Sequence, residues 1–352
     1  MGRVVAITNL KGGIGKTTTV VNLSAGLALK GARVLLIDVD AQGNLSMALG
    51  ARPRRTLYEV LVDGARAADC ITSVRPNLDL LAANESLLTA QPAIAQRPDW
   101  PRVLEQAIRP IRGEYDFIFV DCGGSLTVLN LNALNAASDV VVPTTVEPFS
   151  LRGLEMLVGQ ITRVKGSSSC LRAIVPTMFD PRTRQAVELL QQLHERYGAL
   201  VTEPIRVNVR LSESSAAGRT IYEYDPRSRG AVDYAKLVEH LSELWGFVPE
   251  RASEPASRNG ATPRAQPERP ALEPVRPVPQ APVGAAAAPP APVGERGEAG
   301  GAPVVIGSGN MLSLTCPNCG GELRRATVAG YRVAYCDHCK YRRQELASGS
   351  RR

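Results

Sequence analysis

The sequence predicts an α/β fold in which a mostly parallel, doubly wound sheet is followed by a small C-terminal β domain. Strand-like and helix-like segments alternate over residues 1–250, as in sheets that helices cover on both faces. Residues 251–310 contain twelve prolines and no aromatic residue, a composition that favours a disordered tether. Beyond them, four cysteines in two C-x₂-C pairs indicate a module of its own over residues 311–346, and residues 347–352 form a short basic tail.

The apolar runs and their spacing place the individual elements. Strands are expected at 3–8, 33–38, 77–82, 116–121, 138–143 and 172–177. Helices are expected at 17–30, 55–63, 99–109, 126–136, 150–164, 184–197 and 228–246. In such sheets a ligand binds beyond the C-terminal ends of the strands, so polar residues at those ends are the first candidates for a site.

The composition limits the classes of function. The chain has 352 residues and a net charge of +7, but residues 1–250 hold 27 Lys and Arg against 26 Asp and Glu. A nucleic-acid surface on this part must therefore be a local patch. No apolar run reaches the length of a membrane span, so no stable membrane insertion is expected. The N-terminus enters a strand directly, without a secretory leader, which favours the cytoplasm.

The first strand runs into a glycine-rich turn, Lys-Gly-Gly-Ile-Gly-Lys-Thr-Thr-Thr at positions 11–19. Glycines permit a tight turn whose amide groups point at phosphate oxygens, and the following helix adds its positive end. Lys16 is placed to reach the β- and γ-phosphates, and the Thr17 hydroxyl to bind Mg²⁺. The predicted nucleotide contacts here are Gly12, Gly13, Ile14, Gly15, Lys16, Thr17 and Thr18.

Carboxylates end two further strands. Asp38 and Asp40 are two residues apart and so share a face of the second strand. The apolar run 116–121 ends at Asp121, the pattern of a Walker B strand whose carboxylate holds Mg²⁺ directly or through water. Asp38, Asp121 and Thr17 are therefore predicted to surround the metal and the phosphates.

The turn at 11–19 resembles the deviant Walker A box of the ParA/MinD ATPases, K-G-G-x-G-K-[ST]-T, at every fixed position. The resemblance implies a P-loop NTPase fold, and it implies that Lys11 reaches across a nucleotide-sandwich dimer to the ATP of the partner. It assigns Asp40 to the attacking water. Lys11, Lys16 and Asp40 are then the catalytic residues.

Segments further along resemble the ParA/Soj branch of that family, including T-M-x-D-x-R-T at 177–183, N-V-R-L-S-E at 208–213 and Y-D-P-x-S-x-G-A at 224–231. These segments imply an adenine pocket that includes Asn208, and non-specific DNA binding through Arg182 and Arg210. Five more arginines are candidates to widen that patch: Arg184, Arg206, Arg219, Arg227 and Arg229. The chain departs from the family at Gly123 and Gly124, where prolines are usual, and at Arg152, where glutamate is usual.

The resemblance implies a cytoplasmic, nucleoid-associated ATPase that dimerises with ATP and Mg²⁺ and binds DNA without sequence preference. A ParB-like partner would stimulate hydrolysis, and the outcome would be segregation of chromosome or plasmid copies. Two alternatives stay open. One is a MinD-type ATPase that positions another cargo or a membrane-associated complex. The other is a nucleotide-switched adaptor whose C-terminal module binds nucleic acid or protein.

The C-terminal cysteines are spaced as in a zinc ribbon. Two C-x₂-C pairs separated by 16 residues can surround one tetrahedral Zn²⁺, and the spacer suits a hairpin over 322–327 and 331–335. Because four thiolates close the site, the metal is expected to be structural rather than catalytic. The predicted ligands are Cys316, Cys319, Cys336 and Cys339.

Overall fold

A computed structural model describes residues 2–248 and, in the C-terminal part, residues 316, 319–328, 331–336, 338–339 and 342–345. The predicted tether at 251–310 and the basic tail at 347–352 lie outside the described residues. The chain divides into two compact units, Met1–Pro263 and Arg264–Arg352, and each is described by itself.

The first unit is built on a seven-stranded sheet in the order β3-β4-β2-β5-β1-β6-β7. All neighbouring strands are parallel except β3, which runs antiparallel to β4 at one edge. The strands are β1 (Arg3–Ile7), β2 (Val34–Asp38), β3 (Thr72–Arg75), β4 (Leu78–Leu81), β5 (Phe117–Asp121), β6 (Asp139–Thr145) and β7 (Leu171–Thr177).

Helices cover both faces of this sheet. They are α1 (Lys16–Leu29), α2 (Asn44–Ala48), α3 (Leu57–Leu61), α4 (Leu87–Ala95), α5 (Val103–Ile108), α6 (Val128–Ala136), α7 (Ser150–Lys165), α8 (Arg184–Tyr197), α9 (Val209–Ala216), α10 (Ile221–Tyr224) and α11 (Arg229–Leu244). Within the described residues, no helix combines the length and apolar character that crossing a bilayer requires.

The two faces bury two separate apolar cores. On the central strands, alternate side chains enter opposite cores: Val4 and Ala6 of β1 pack into one, and Val5 and Ile7 into the other. β2 and β5 are buried along their whole length. Continuous apolar runs are what a parallel sheet covered on both faces requires, and they are the reason that these strands could be predicted.

The predicted fold is confirmed, with the six predicted strands and seven predicted helices present to within a few residues. The prediction lacked the edge strand β3 and the helices α2, α4, α9 and α10. β3 is four residues long and only partly buried, so it carries no apolar run. α2 and α10 have five and four residues, too short to show a helical period.

The C-terminal unit contains a three-stranded antiparallel sheet in the order β10-β9-β8. β8 (Arg324–Val328) and β9 (Tyr331–Tyr335) form the predicted hairpin, and β10 (Arg342–Glu345) pairs with the other edge of β9. The third strand was not predicted from the sequence.

Candidate functional site

The sheet brings the three predicted motifs to one edge. Asp121, at the end of β5, pairs in register with Ile7 of β1 on one side and with Asp38 of β2 on the other. The glycine-rich loop leaves the end of β1 and enters α1. The carboxylates and the loop therefore meet at the carboxyl edge of the central strands, where parallel α/β sheets bind ligands.

The loop has the geometry of a phosphate cradle. Gly13 and Gly15 have φ angles of +70° and +86°, which side chains with a Cβ rarely adopt. A Cβ built on Gly12 or Gly13 meets no atom within 4 Å, so the space beside these two residues is open. The backbone is thus shaped to approach a ligand closely, with the positive end of α1 behind it.

Lys16 is held within this loop. Its side chain is buried, and its Nζ donates to the Lys11 carbonyl oxygen at 2.9 Å. Burial lowers the pKa of Lys16, and the negative charges of Asp121 and Asp40 oppose that shift. The ammonium group is therefore desolvated and close to the cradle, a position in which an anionic ligand would gain most from it.

Asp121 and Thr17 form the arrangement expected around a metal ion. The Thr17 hydroxyl donates to Asp121 Oδ2 at 2.7 Å, whereas Asp121 Oδ1 is buried and accepts no hydrogen bond from the described residues. Burial raises the pKa of Asp121 to about 7, against the lowering effects of Thr17 and Lys16. A buried oxygen without a partner costs free energy. An oxygen-binding cation such as Mg²⁺ would satisfy it, so the donor set fits that metal.

Asp38 and Asp40 have different surroundings. Asp38 is fully buried and accepts hydrogen bonds from the backbone amides of Asp40 (2.9 Å) and Leu45 (3.1 Å). Burial raises its pKa, and the nearby charge of Asp121 acts in the same direction. Asp40 lines the cleft, and its Oδ1 accepts from the Gln42 amide at 3.1 Å. The geometry thus gives Asp38 a supporting position and leaves Asp40 facing the ligand space.

Gly123 and Gly124 pack closely against both motifs. A Cβ at position 123 would lie 3.3 Å from Asp40 Oδ2, and one at position 124 would lie 3.2 Å from the Cα and the amide nitrogen of Gly12. Asn130 fixes this segment, because its side chain accepts from the Gly123 amide and donates to the Gly123 carbonyl, both at 3.1 Å. A proline at position 123 would lack the amide that donates to Asn130, and a Cβ at either position would make a tight contact with its neighbours. The role of Asn130 was missed, since an asparagine in an apolar helix carries no distinct sequence signal.

Lys11 lies at the mouth of the loop. Its Nζ is 2.5 Å from Glu147 Oε2 and 3.2 Å from Thr145 Oγ1. The side chains of Lys11 and Glu147 are 47% and 56% exposed, so this ion pair faces solvent. Glu147 follows β6, and the sequence did not predict its contact with Lys11.

The glycine-rich loop opens into a cleft of about 930 Å³ whose far wall comes from α2, α4 and α9. The cleft residues that the sequence did not single out on this wall are Met47, Ala48, Leu88, Gln91, Ser215 and Ala216. Met178, from the motif at 177–183, also lines the cleft. Met178 has a φ of +52°, an unusual value for a residue with a Cβ. Asn208 was predicted to line the adenine pocket. In this structure it caps α9, because its side chain accepts a hydrogen bond from the Arg210 amide at 2.9 Å.

The two arginines predicted to bind DNA make ion pairs with neighbouring acids. Arg182 binds both carboxylate oxygens of Asp180, at 2.9 and 2.8 Å, and its side chain is 87% exposed. Arg210 donates to Glu213 at 2.7 Å and lies 3.6 Å from Asp225. Both are on the surface, but a phosphate would have to compete with a carboxylate for each.

In the C-terminal unit the four predicted cysteines converge. Their Sγ atoms all lie within 4.8 Å of one another, with Cys316 and Cys339 at 3.4 Å and Cys319 and Cys336 at 3.5 Å. These distances exceed a disulfide bond of about 2 Å and are near the roughly 3.8 Å between ligands of a tetrahedral Zn–S site. Gly320, at φ +69°, allows the tight turn, so the donor set fits zinc.

Fold and site together define a P-loop nucleotide-binding protein: a parallel sheet, an open glycine loop between β1 and α1, and a carboxylate paired with the loop threonine. Known proteins agree with this class. Residues 2–172 match a family model described as an AAA domain.

More specific relatives cover most of the chain. The sporulation initiation inhibitor protein Soj of Bacillus subtilis is 38% identical over 250 residues, which are 69% of this chain and 99% of Soj. The chromosome partitioning protein ParA of Caulobacter vibrioides is also 38% identical, over 68% of this chain and 93% of the relative. The septum site-determining protein MinD of Pyrococcus horikoshii, solved with Mg-ADP, aligns with a TM-score of 0.59 and 27% identity over 70% of this chain and 98% of its own. The chain belongs to the ParA/MinD family of P-loop ATPases.

Proposed function

We propose that this protein is a ParA/Soj-type ATPase. Two copies, each holding Mg-ATP, close into a dimer that binds DNA without sequence preference, and hydrolysis releases the DNA. A ParB-like partner stimulates that hydrolysis, and the cycle drives segregation of chromosome or plasmid copies. The dimer, the DNA and the partner come from the resemblance to the family.

The observation that carries the nucleotide part is the pairing of Thr17 with Asp121 beneath an open glycine loop. One Asp121 oxygen is bonded to Thr17, and the other is buried without a partner among the described residues. Bound there, Mg²⁺ would neutralise charge on the phosphates. Lys16 would then bind the phosphate oxygens in place of the Lys11 carbonyl, which it contacts at 2.9 Å.

Asp40 is the residue proposed to orient the attacking water. It lines the cleft, and its Oδ1 is fixed by the Gln42 amide, so its carboxylate has a defined direction. Asp38 supports it by binding the Asp40 amide. Lys11, exposed at the mouth of the loop, is proposed to contact the nucleotide of the partner subunit.

The similarity to partitioning proteins is the reason to prefer this role over a MinD-type role at a membrane. Identity to Soj and to ParA is 38%, against 27% to the MinD structure. Co-sedimentation with anionic vesicles in the presence of ATP compares the two roles directly. Binding to duplex DNA but not to vesicles is expected.

Two substitutions test the chemistry. Asp40→Ala is expected to bind ATP normally, to lose turnover and to stay DNA-bound as a dimer. Lys16→Ala is expected to lose nucleotide binding in calorimetry. Lys30→Ala is the matched control, because Lys30 caps the opposite end of the same helix and pairs with Glu239 on the surface. Unchanged turnover in the Asp40 variant, or normal ATP affinity in the Lys16 variant, would refute these roles.

The cysteine cluster is proposed to hold one structural Zn²⁺ in a zinc ribbon. Its support is the convergence of four Sγ atoms at distances that suit tetrahedral thiolate ligation. A module this small has little core of its own, so the metal would supply much of its folding free energy.

Metal analysis of the purified full chain tests this site. One zinc per chain is expected, and the double variant Cys316→Ser/Cys339→Ser should lose it. Cys70→Ser/Cys170→Ser, which changes two cysteines of the first unit, should keep it. Absence of zinc from wild-type protein purified without chelators, and failure to take it up on addition, would refute the site.

A further inference from the structure

We propose that a second surface, separate from the nucleotide site, binds the phosphate backbone of duplex DNA. It is formed by Arg52, Arg54 and Arg219, which we call the arginine surface. This inference rests on the proposed function and adds to it the residues that contact DNA. It differs from the sequence-based assignment, which placed Arg182 and Arg210 first and gave Arg219 as one of five further candidates.

Two loops that are distant in the sequence form this surface. Arg52 and Arg54 follow α2, and Arg219 follows α9. The loops touch through two glycines: a Cβ at position 218 would lie 2.8 Å from the Gly50 Cα. Both glycines have positive φ angles, and the close contact leaves no room for a side chain between the loops. The fold therefore brings the two loops that carry the three arginines into contact.

Arg75 makes hydrogen bonds to both loops at the point where they meet. Its guanidinium donates to the Leu49 carbonyl at 3.3 Å and to the Gly218 carbonyl at 3.0 Å. It also binds Glu223, at 2.5 and 3.2 Å. Glu223 is thus paired with Arg75, which offsets its charge beside the arginine surface.

The three arginines are exposed and available. None of them makes an ion pair with a carboxylate of the described residues, in contrast to Arg182 and Arg210. The adjacent Arg55 is not included, because it lies in the field of Glu59 and Asp69. A phosphate can bind these three arginines at little cost in free energy, since no existing ion pair has to be broken.

A further arginine lies near the arginine surface. Arg210 is in the first turn of α9, a helix of eight residues with an axis of about 12 Å, and Arg219 follows the end of that helix. DNA presents one charge per roughly 1.7 Å of axis, so cations spread over such a distance meet several phosphates at once. Arg210 at the other end of α9 would extend the same surface when it exchanges Glu213 for a phosphate.

The same two segments also line the nucleotide cleft. Met47 and Ala48 of α2 and Ser215 and Ala216 of α9 form part of its wall, and α2 begins beside Leu45, whose amide binds Asp38. The loops that carry the arginine surface therefore follow helices of the cleft wall. A nucleotide in the cleft would contact the helices that precede these loops, which would link its presence to the positions of the three arginines.

The test compares two triple variants of the full chain, each with a non-hydrolysable ATP analogue and Mg²⁺. The first is Arg52→Ala/Arg54→Ala/Arg219→Ala. The control is Arg66→Ala/Arg97→Ala/Arg196→Ala, which removes the same charge from arginines paired with Asp69, Asp99 and Glu155. Binding to a fluorescent duplex is measured over a salt series, and nucleotide affinity and thermal unfolding are measured for both variants.

The first variant should bind duplex less tightly and lose about 2 to 3 per subunit from the slope of log affinity against log salt, at about 0.9 for each phosphate contact. The control should keep the wild-type slope, and both should keep nucleotide affinity. If wild type binds DNA and the first variant keeps its slope, the arginine surface is wrong while the proposed function stands. If wild type itself does not bind duplex with the analogue, the DNA part of the proposed function fails and this inference fails with it. Stronger binding to single-stranded RNA of equal phosphate number would overturn the assignment to duplex DNA.

Discussion

The Lys11 ammonium lies 2.5 Å from Glu147 Oε2 and 3.2 Å from Thr145 Oγ1. The residue proposed to reach a partner subunit is therefore held by its own chain. Both side chains are about half exposed, and exposed ion pairs contribute roughly 0–1 kcal/mol. Lys11 can exchange such a contact for a phosphate at little cost in free energy. The ion pair therefore favours the Lys11 conformation of the monomer only weakly.

Glu147→Gln is expected to favour dimer formation, because Lys11 no longer has to leave a carboxylate. The nucleotide concentration that gives half dimer should fall by up to about fivefold, the equivalent of 1 kcal/mol. Light scattering across a nucleotide titration measures it. Glu155→Gln is the control, since Glu155 lies on α7 and pairs with Arg196. An unchanged midpoint in the Glu147 variant would show that the pair does not restrain Lys11.

Gly124→Ala is expected to weaken nucleotide binding. The added Cβ would lie 3.2 Å from the Gly12 Cα and amide, so the glycine-rich loop has to shift, at a cost of about 1–3 kcal/mol for overpacking. Fluorescent nucleotide titration should show a loss of about fivefold or more. Gly153→Ala is the control, because a Cβ there meets no atom within 4 Å. Equal affinities for the two variants would mean that the loop tolerates the contact.

Asp139→Asn is expected to destabilise the first unit at neutral pH. Asp139 is buried and binds Arg3 at 2.8 Å and Arg172 at 2.5 Å, which ties the starts of β1, β6 and β7 together. Burial alone would raise the pKa of Asp139, but hydrogen bonds from Arg172, Arg3 and Ser138 outweigh it and hold that pKa below its usual value. Charged hydrogen bonds of this kind contribute about 2 kcal/mol.

The sign of the pH dependence follows from the lowered pKa. The unfolded chain binds a proton at Asp139 near pH ~3.9, before the folded protein does, so the stabilisation is present above that pH and is lost as the pH falls further. The difference in unfolding free energy between wild type and Asp139→Asn should therefore be constant from pH 5 to 7 and shrink below about pH 4. Denaturant titrations at several pH values measure it, and a difference that grows toward low pH would contradict this account.

The sequence predicted the centre of the molecule well because its signals are local. The run 116–121 is a buried strand followed by a carboxylate, and the loop at 11–19 requires glycines at fixed positions. Parallel pairing then places Asp38 beside Asp121. The spacing of the four cysteines similarly predicted their convergence in the C-terminal unit.

Two of the features that the sequence did not reveal depend on pairs of distant residues. The Lys11–Glu147 pair joins positions 136 apart, and the contact between Gly50 and Gly218 joins two turns that show no pattern. The ion pairs of Arg182 and Arg210 involve acids only two and three residues away. A resemblance that fixes the position of an arginine does not say whether a neighbour neutralises it. Arg219 was a candidate from the sequence, whereas Arg52 and Arg54 were proposed only from the structure.

The most direct test of the account is the mass of the protein in solution, measured by light scattering with a non-hydrolysable ATP analogue and Mg²⁺. Wild type is expected to become a dimer, whereas Lys11→Ala is expected to bind the analogue and stay a monomer. A wild-type protein that binds the analogue and stays monomeric, or a Lys11→Ala variant that dimerises as well as wild type, would contradict the central claim.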